Sequence, residues 1–161
     1  MFLAHHKTVW RTLRRRGMSS EAAADGTQET FIVAARRLAD IAPDSERAFL
    51  IGTALRIAHT LGRKSTRWHL VDDMDRHSAA VPETCANLAD VQICDLALSK
   101  VKDELAEVFV LHEIEGLSSP EIAALLEIPL GSVASRLRRA REQFTAALTR
   151  IHRTMQREGQ P

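Results

Sequence analysis

The sequence predicts an all-α protein of two small helical domains joined by a flexible linker, and three observations carry that prediction. Apolar residues recur at steps of three and four in several separate stretches, the period of an amphipathic helix. Aromatic residues make up 4% of the chain and tyrosine is absent, a composition that disfavours sheets. From Ser65 to about Asn87 no helical period persists, and Val81-Pro82-Glu83 reads as extended chain or turn. A length of 161 residues accommodates two such domains. They are placed at residues 1–68 and 88–155, with the linker at 69–87 and a disordered polar tail at 156–161.

The first helix is expected over Phe2–Arg16, with Phe2, His6, Val9, Trp10 and Leu13 on one face. Arg11, Arg14, Arg15 and Arg16 fall on its exposed side, and Gly17 ends it. Ser19 or Ser20 caps a second helix whose inward residues are Ala24, Thr27, Phe31, Ala35 and Leu38. Asp25, Gln28, Glu29 and Ile32 then share another face at steps of three and four, which by itself is the pattern of solvated surface. Pro43 breaks the chain and Asp44 or Ser45 recaps it, so a third helix runs to about Gly62. Ile51, Leu55, Ala58 and Leu61 can pack inward, while Phe49, Arg56 and Arg63, seven apart, make a separate stripe. With Lys64, Arg67 and Trp68 just beyond, cations are interleaved with aromatics, a chemistry suited to single-stranded nucleic acid. The same residues also fit a buried phenylalanine beside a solvated basic helix end.

Beyond the linker a helix resumes at Leu88 through Val91, Leu96 and Leu98, and another carries Leu105, Val108, Phe109 and Leu111 as far as Gly116. Ser118 can cap the next helix, with Glu121 completing a capping box and Pro120 tolerated in the first turn. Ile122, Ala123, Leu125 and Leu126 face inward, and Pro129 separates this short helix from a long one. In the long helix Val133, Leu137, Ala140, Phe144 and Leu148 form an apolar stripe, opposite Ser132, Ser135, Arg138, Arg139 and Glu142. Two helices so arranged make a helix-turn-helix, whose second helix offers its early residues to base edges in the major groove. A serine fits close to DNA, and arginine grips guanine or phosphate.

Charge is segregated along the chain. Between Asp72 and Glu127 thirteen acidic residues face three basic ones, whereas from Arg136 to Arg157 seven arginines, Arg141 among them, accompany one acid, Glu142. Clustered charge of this kind marks a polyanion-facing surface although the formal net charge is only +1. Cys85 and Cys94 have no histidine at ligand spacing beside them and read as two inert thiols. No signal peptide and no membrane-length apolar run is visible, so the expectation is a cytoplasmic protein without membrane insertion. His5, His6, His112, Glu113 and Glu115 do not form a metal-binding pattern, since His5 and His6 point to different faces of one helix. No metal, no cofactor and no catalytic site is expected, and the protein reads as a non-enzyme.

Three stretches carry a resemblance. EGLSSPEIAALLEIPLGSVASRLRRARE resembles promoter-binding region 4 of bacterial sigma factors in the form found in the extracytoplasmic-function (ECF) group. ADGTQETFIVAARRL resembles region 2.2, and FLIGTALRIAHTLGRK looks like regions 2.3 and 2.4, so the resemblance covers nearly the whole chain. It implies that a region 2 bundle grips the core RNA polymerase β′ subunit through Asp25, Gln28, Glu29 and Ile32. It implies that Phe49, Arg56, Arg63, Lys64 and Arg67 open and hold the −10 element. It implies that a region 4 helix-turn-helix reads the −35 element through Ser132, Ser135, Arg136, Arg138, Arg139 and Arg141, with His112 on a phosphate. The acidic linker, with Asp72, Asp73 and Asp75, would thread the polymerase's RNA-exit path, and the partners implied are core polymerase (β′ and β), promoter DNA and an anti-sigma factor.

The chain departs from the family at four positions. Phe49 stands where tryptophan is common, Arg56 where many members have asparagine, Gly26 where a leucine usually packs, and Ala134 where lysine or arginine is frequent. Two rivals stay open: a stand-alone helix-turn-helix regulator with an N-terminal dimerisation or ligand domain, and a degenerate sigma acting as an interaction protein, which Gly26 and Ala134 alone support.

Overall fold

A computed structural model describes residues 2–60, 68–69 and 88–158, and these contain seven α-helices and no strand. The helices are α1 (Phe2–Arg15), α2 (Ser20–Arg36), α3 (Glu46–Thr60), α4 (Leu88–Leu98), α5 (Asp103–Phe109), α6 (Ser119–Leu126) and α7 (Leu130–Glu158). The chain divides into two compact units, Met1–Arg67 and Trp68–Pro161.

In the first unit α1, α2 and α3 pack against one another. Gly17, at φ 80°, stops α1 by adopting the left-handed conformation that a Cβ disfavours. The Gly17 N–H donates to the Arg14 carbonyl (2.8 Å) and the Met18 N–H to the Leu13 carbonyl (3.3 Å), which satisfies the last carbonyls of the helix. Ser19 then caps α2, its hydroxyl accepting from the Ala22 N–H at 3.2 Å. Val9, Leu13, Met18, Ala23, Ala34, Leu50, Ala54 and Ala58 form the core. Each fully buried large side chain among them contributes about 1.5–3 kcal/mol.

The inward face of α2 differs from the sequence expectation. Ala23, Gly26, Thr27, Thr30 and Ala34 are buried, with Phe31 half-buried, whereas Ala24, Ala35 and Leu38 are exposed. The helix is rotated by about one residue because its buried side is made of small and hydroxylated residues. The hydroxyls of Thr27 and Thr30 donate to the carbonyls of Ala23 and Gly26, both at 2.7 Å, so they enter the core without an unmet donor. On α1 the arginines are less exposed than the sequence suggests: Arg15 is buried and Arg14 lies over the Trp10 ring at 5.8 Å while donating to the Met18 carbonyl at 2.6 Å. A 3₁₀ turn, Pro43–Ser45, leads straight into α3. Ile51 and Ala58 of α3 are buried as expected and Leu55 is half-buried, whereas Leu61 lies outside the described residues.

In the second unit α4, α5 and α6 each pack on α7. Trp68 is buried there, and His69 pairs with Asp95 of α4 at 3.6 Å. Leu96 is exposed, contrary to expectation, whereas Leu98 is buried as expected, together with Cys94 and Ala97. The reading of two inert thiols fails as well: Cys94 is disulfide-bonded, and the one other cysteine of the sequence, Cys85, lies outside the described residues. Phe109 of α5 meets Phe144 of α7 with ring centroids 4.8 Å apart, an aromatic pair at the centre of this core. Helix α5 ends in one π-helical turn, Val110–Ile114, and Gly116, at φ 65°, turns the chain toward α6. Helix α7 continues to Glu158, so residues 156–158 extend a helix where the sequence suggests a disordered tail. Arginine, glutamine and glutamate are good helix formers, and the last turn needs no tertiary support to continue the ladder.

Candidate nucleic-acid interface

The helix-turn-helix is assembled by local chemistry. At the start of α6 the Glu121 carboxylate accepts from the Ser118 N–H at 2.7 Å and from the Ser118 hydroxyl at 2.6 Å, with Pro120 in the first turn. Ile122 is the fully buried residue that anchors α6. The helix ends at Glu127, which adopts the left-handed conformation (φ 54°, ψ 42°). The Ile128 N–H then reaches back to the Ala123 carbonyl at 3.1 Å, the bond of a Schellman end. The Pro129 carbonyl accepts from Ser132 (2.9 Å) and Val133 (3.2 Å) and so opens α7. A turn this tight leaves only Ile128 and Pro129 between the left-handed residue and the long helix.

Helix α7 buries Val133, Leu137, Ala140, Phe144 and Ala147. The stripe is the expected one with Ala147 added and Leu148 only half-buried. Ser135, Arg138, Arg139 and Glu142 are exposed on the opposite side, and Ser132 is half-buried. The arginines are not equivalent. Arg141 donates from Nε (2.9 Å) and Nη2 (2.6 Å) to one oxygen of Glu113, and Arg136 pairs with Glu104 at 3.5 Å. Arg138 pairs with Glu142 one turn on, at 2.5 Å. Arg139 has no hydrogen bond or ion pair among the described residues. Solvent-exposed pairs of this kind contribute about 0–1 kcal/mol, so a phosphate can displace the carboxylate at small cost. A free guanidinium needs no exchange at all.

His112 is half-buried beside this cluster, its Nδ1 at 3.5 Å from Glu113. Sequence reasoning missed Glu104 and Glu113 as partners of the arginines. They lie 32 and 28 residues from Arg136 and Arg141, too far for any helical spacing to disclose.

In the first unit Asp25, Gln28, Glu29 and Ile32 are exposed together on α2, with Ile32 46% accessible. Phe49 is half-buried and packs against the core, whereas Arg56 is exposed. Arg63, Lys64 and Arg67 lie outside the described residues. Among the described residues no group of three or more histidine, cysteine, aspartate or glutamate side chains could hold a metal ion, and no helix is long and apolar enough to cross a membrane.

Comparison with known proteins agrees with this geometry. Residues 93–144 match the family described as sigma-70, region 4. The chain is 35% identical over 146 residues to the ECF RNA polymerase sigma factor SigE of Mycolicibacterium smegmatis, a match covering 87% of this chain and 57% of that protein. It is 29% identical over 155 residues to the ECF RNA polymerase sigma-E factor of Salmonella typhimurium, covering 85% of this chain and 78% of the other. Among solved structures it resembles CnrH in complex with the cytosolic domain of CnrY, with TM-score 0.64 and 28% identity over 92% of this chain and 84% of that one. The fold is also that of RpoE from Bartonella quintana in complex with the anti-sigma factor NepR, with TM-score 0.66 and 23% identity over 92% and 94% of the two chains. The chain thus spans little more than half the length of its Mycolicibacterium relative. This all-helical chain carries a helix-turn-helix that matches sigma-70 region 4, and along most of its length it is similar to ECF RNA polymerase sigma factors.

Proposed function

We propose that this chain binds core RNA polymerase and directs promoter-specific initiation, reading the −35 element with α7 and both reading and melting the −10 element with its N-terminal unit. The observation that carries the reading is the exposed Ser135–Arg138–Arg139 face of α7, held outward by a buried stripe on the opposite side. On this reading the exposed patch of Asp25, Gln28, Glu29 and Ile32 meets the β′ subunit, and the acidic linker, with Asp72, Asp73 and Asp75, threads the polymerase's RNA-exit path. Phe49, Arg56, Arg63, Lys64 and Arg67 serve the opened −10 strand. The partial burial of Phe49 suits a wall of a base pocket that the core holds rigid, more than a free stacking platform.

Such work requires no covalent chemistry, cofactor or metal of the chain. Melting draws on contacts to flipped bases and phosphates together with polymerase binding, because unstacking costs a few kcal/mol per base. The site of action is the cytoplasm. An anti-sigma partner is supported by the two structural relatives, each solved with a bound protein, one of them named an anti-sigma factor.

Competition for core polymerase tests the first step. The double variant Asp25→Ala, Gln28→Ala should keep its helical circular dichroism and lose to the parent chain in displacing a labelled sigma from core. Equal competition by the two proteins would overturn the assignment of this face.

A further inference from the structure

The exposed side of α7 begins without charge. Leu130, the first residue of the helix, is 53% accessible, an exposed large apolar side chain at the end where a recognition helix meets base edges. Ala134 lies one turn on and is exposed, and Arg138 follows at the same step. Beside this column runs a second one of Gly131, Ser135 and Arg139, all exposed, and a Cβ on Gly131 would meet nothing within 4 Å. The face thus has two parts. Its first turn and a half offers methyl groups and one hydroxyl, and only its third rung carries guanidinium groups.

In the major groove the one apolar group a base edge presents is the 5-methyl of thymine, and small apolar side chains are its partners. Arginine next to it, unengaged by any carboxylate in the case of Arg139, matches the paired acceptors of guanine. We propose that Leu130 and Ala134 hold a thymine methyl group of the −35 duplex, about two base pairs from the guanine taken by Arg139. The separation follows from a helical rise of about 1.5 Å per residue over the five residues from Ala134 to Arg139, set against about 3.4 Å per base pair. Leu130 and Ala134 are then determinants of promoter choice, a role distinct from the phosphate gripping available to the other arginines. This inference rests on the reading of α7 as the −35 helix.

The test uses the full chain with core polymerase and a duplex library randomised over the −35 region. The wild type should enrich a thymine near a guanine. Replacing that thymine by deoxyuridine, which removes only the methyl group, should weaken binding about fourfold, the effect of leaving one such group unburied. In Leu130→Ala the uracil penalty should shrink toward one while Arg139→Ala keeps it and relaxes the guanine instead. Leu130 is exposed, so this variant folds as the parent does. A uracil duplex bound as well as the thymine duplex, with guanine still selected, would overturn the proposal and leave the −35 reading standing. A library from which no −35 sequence emerges would overturn both.

Discussion

Among the arginines of α7 the ion pairs make a ranking that composition alone does not. Arg139 is unengaged among the described residues, whereas Arg141 and Arg136 are tied to Glu113 and Glu104. Arg139→Ala should therefore cost about 1–3 kcal/mol of discrimination at one base pair of the −35 element. Arg141→Ala should instead weaken all sequences alike and lower the salt slope by about one unit. Titrations of duplex DNA with the holoenzyme at several salt concentrations separate the two, and equal, sequence-independent losses would show that both arginines merely add charge.

Gly26 is the other instructive residue. The sequence marks it as a gap where family members pack a leucine, but there is no gap: a Cβ at this position would stand 3.0 Å from Leu13 Cδ1, 3.5 Å from Met18 Cε and 3.7 Å from Ile57 Cγ2. Leu13 and Met18 have filled the space. For Gly26→Ala the helix gains about 1 kcal/mol of propensity and loses a similar amount to crowding of Leu13, so the melting temperature should barely move. Gly26→Leu should be overpacked and destabilised by about 1–3 kcal/mol or more. A thermal melt in which Gly26→Leu is as stable as the parent would mean the first unit packs differently.

At the scale of the element, the turn of the helix-turn-helix holds a non-glycine residue in the left-handed region, at a cost of about 1–2 kcal/mol. Glu127→Gly should remove that strain and, after the greater entropy glycine loses on folding, stabilise the chain by about 1 kcal/mol. That corresponds to a rise in Tm of roughly 4–8 °C for a unit of this size. An unchanged or lower Tm in a circular dichroism melt would contradict the geometry of the turn. The same element shows why sequence reading succeeds in some places. Val133, Leu137 and Phe144 are large and apolar, so the buried stripe of α7 announces itself, and Ser118 with Glu121 announces the start of α6. On α2 the buried face is Ala23, Gly26, Thr27, Thr30 and Ala34, and residues so small or polar leave no contrast for periodicity to detect. The exposed patch of Asp25, Gln28, Glu29 and Ile32 could still be read, because charge marks a surface even where the core is silent.

For the whole molecule, the all-helical class was legible from composition and period. The residues that fix its details were not, because they act across long sequence separations. Trp68 and His69 pack in the second unit, where His69 meets Asp95, although composition assigns one to the first domain and the other to the linker. The Glu104 and Glu113 pairs are likewise tertiary facts. The proposed function makes both units act on one promoter in the presence of polymerase, and strand opening is the step that requires it. The direct measurement is permanganate reactivity of thymines around −10 on a selected promoter, with core polymerase alone, the chain alone, and both together. Reactive, unpaired thymines should appear only when core and chain are combined, with reactivity lost in the Asp25→Ala, Gln28→Ala variant. Protection of duplex DNA by the chain alone, with no thymine becoming reactive when core is added, would contradict the proposed function.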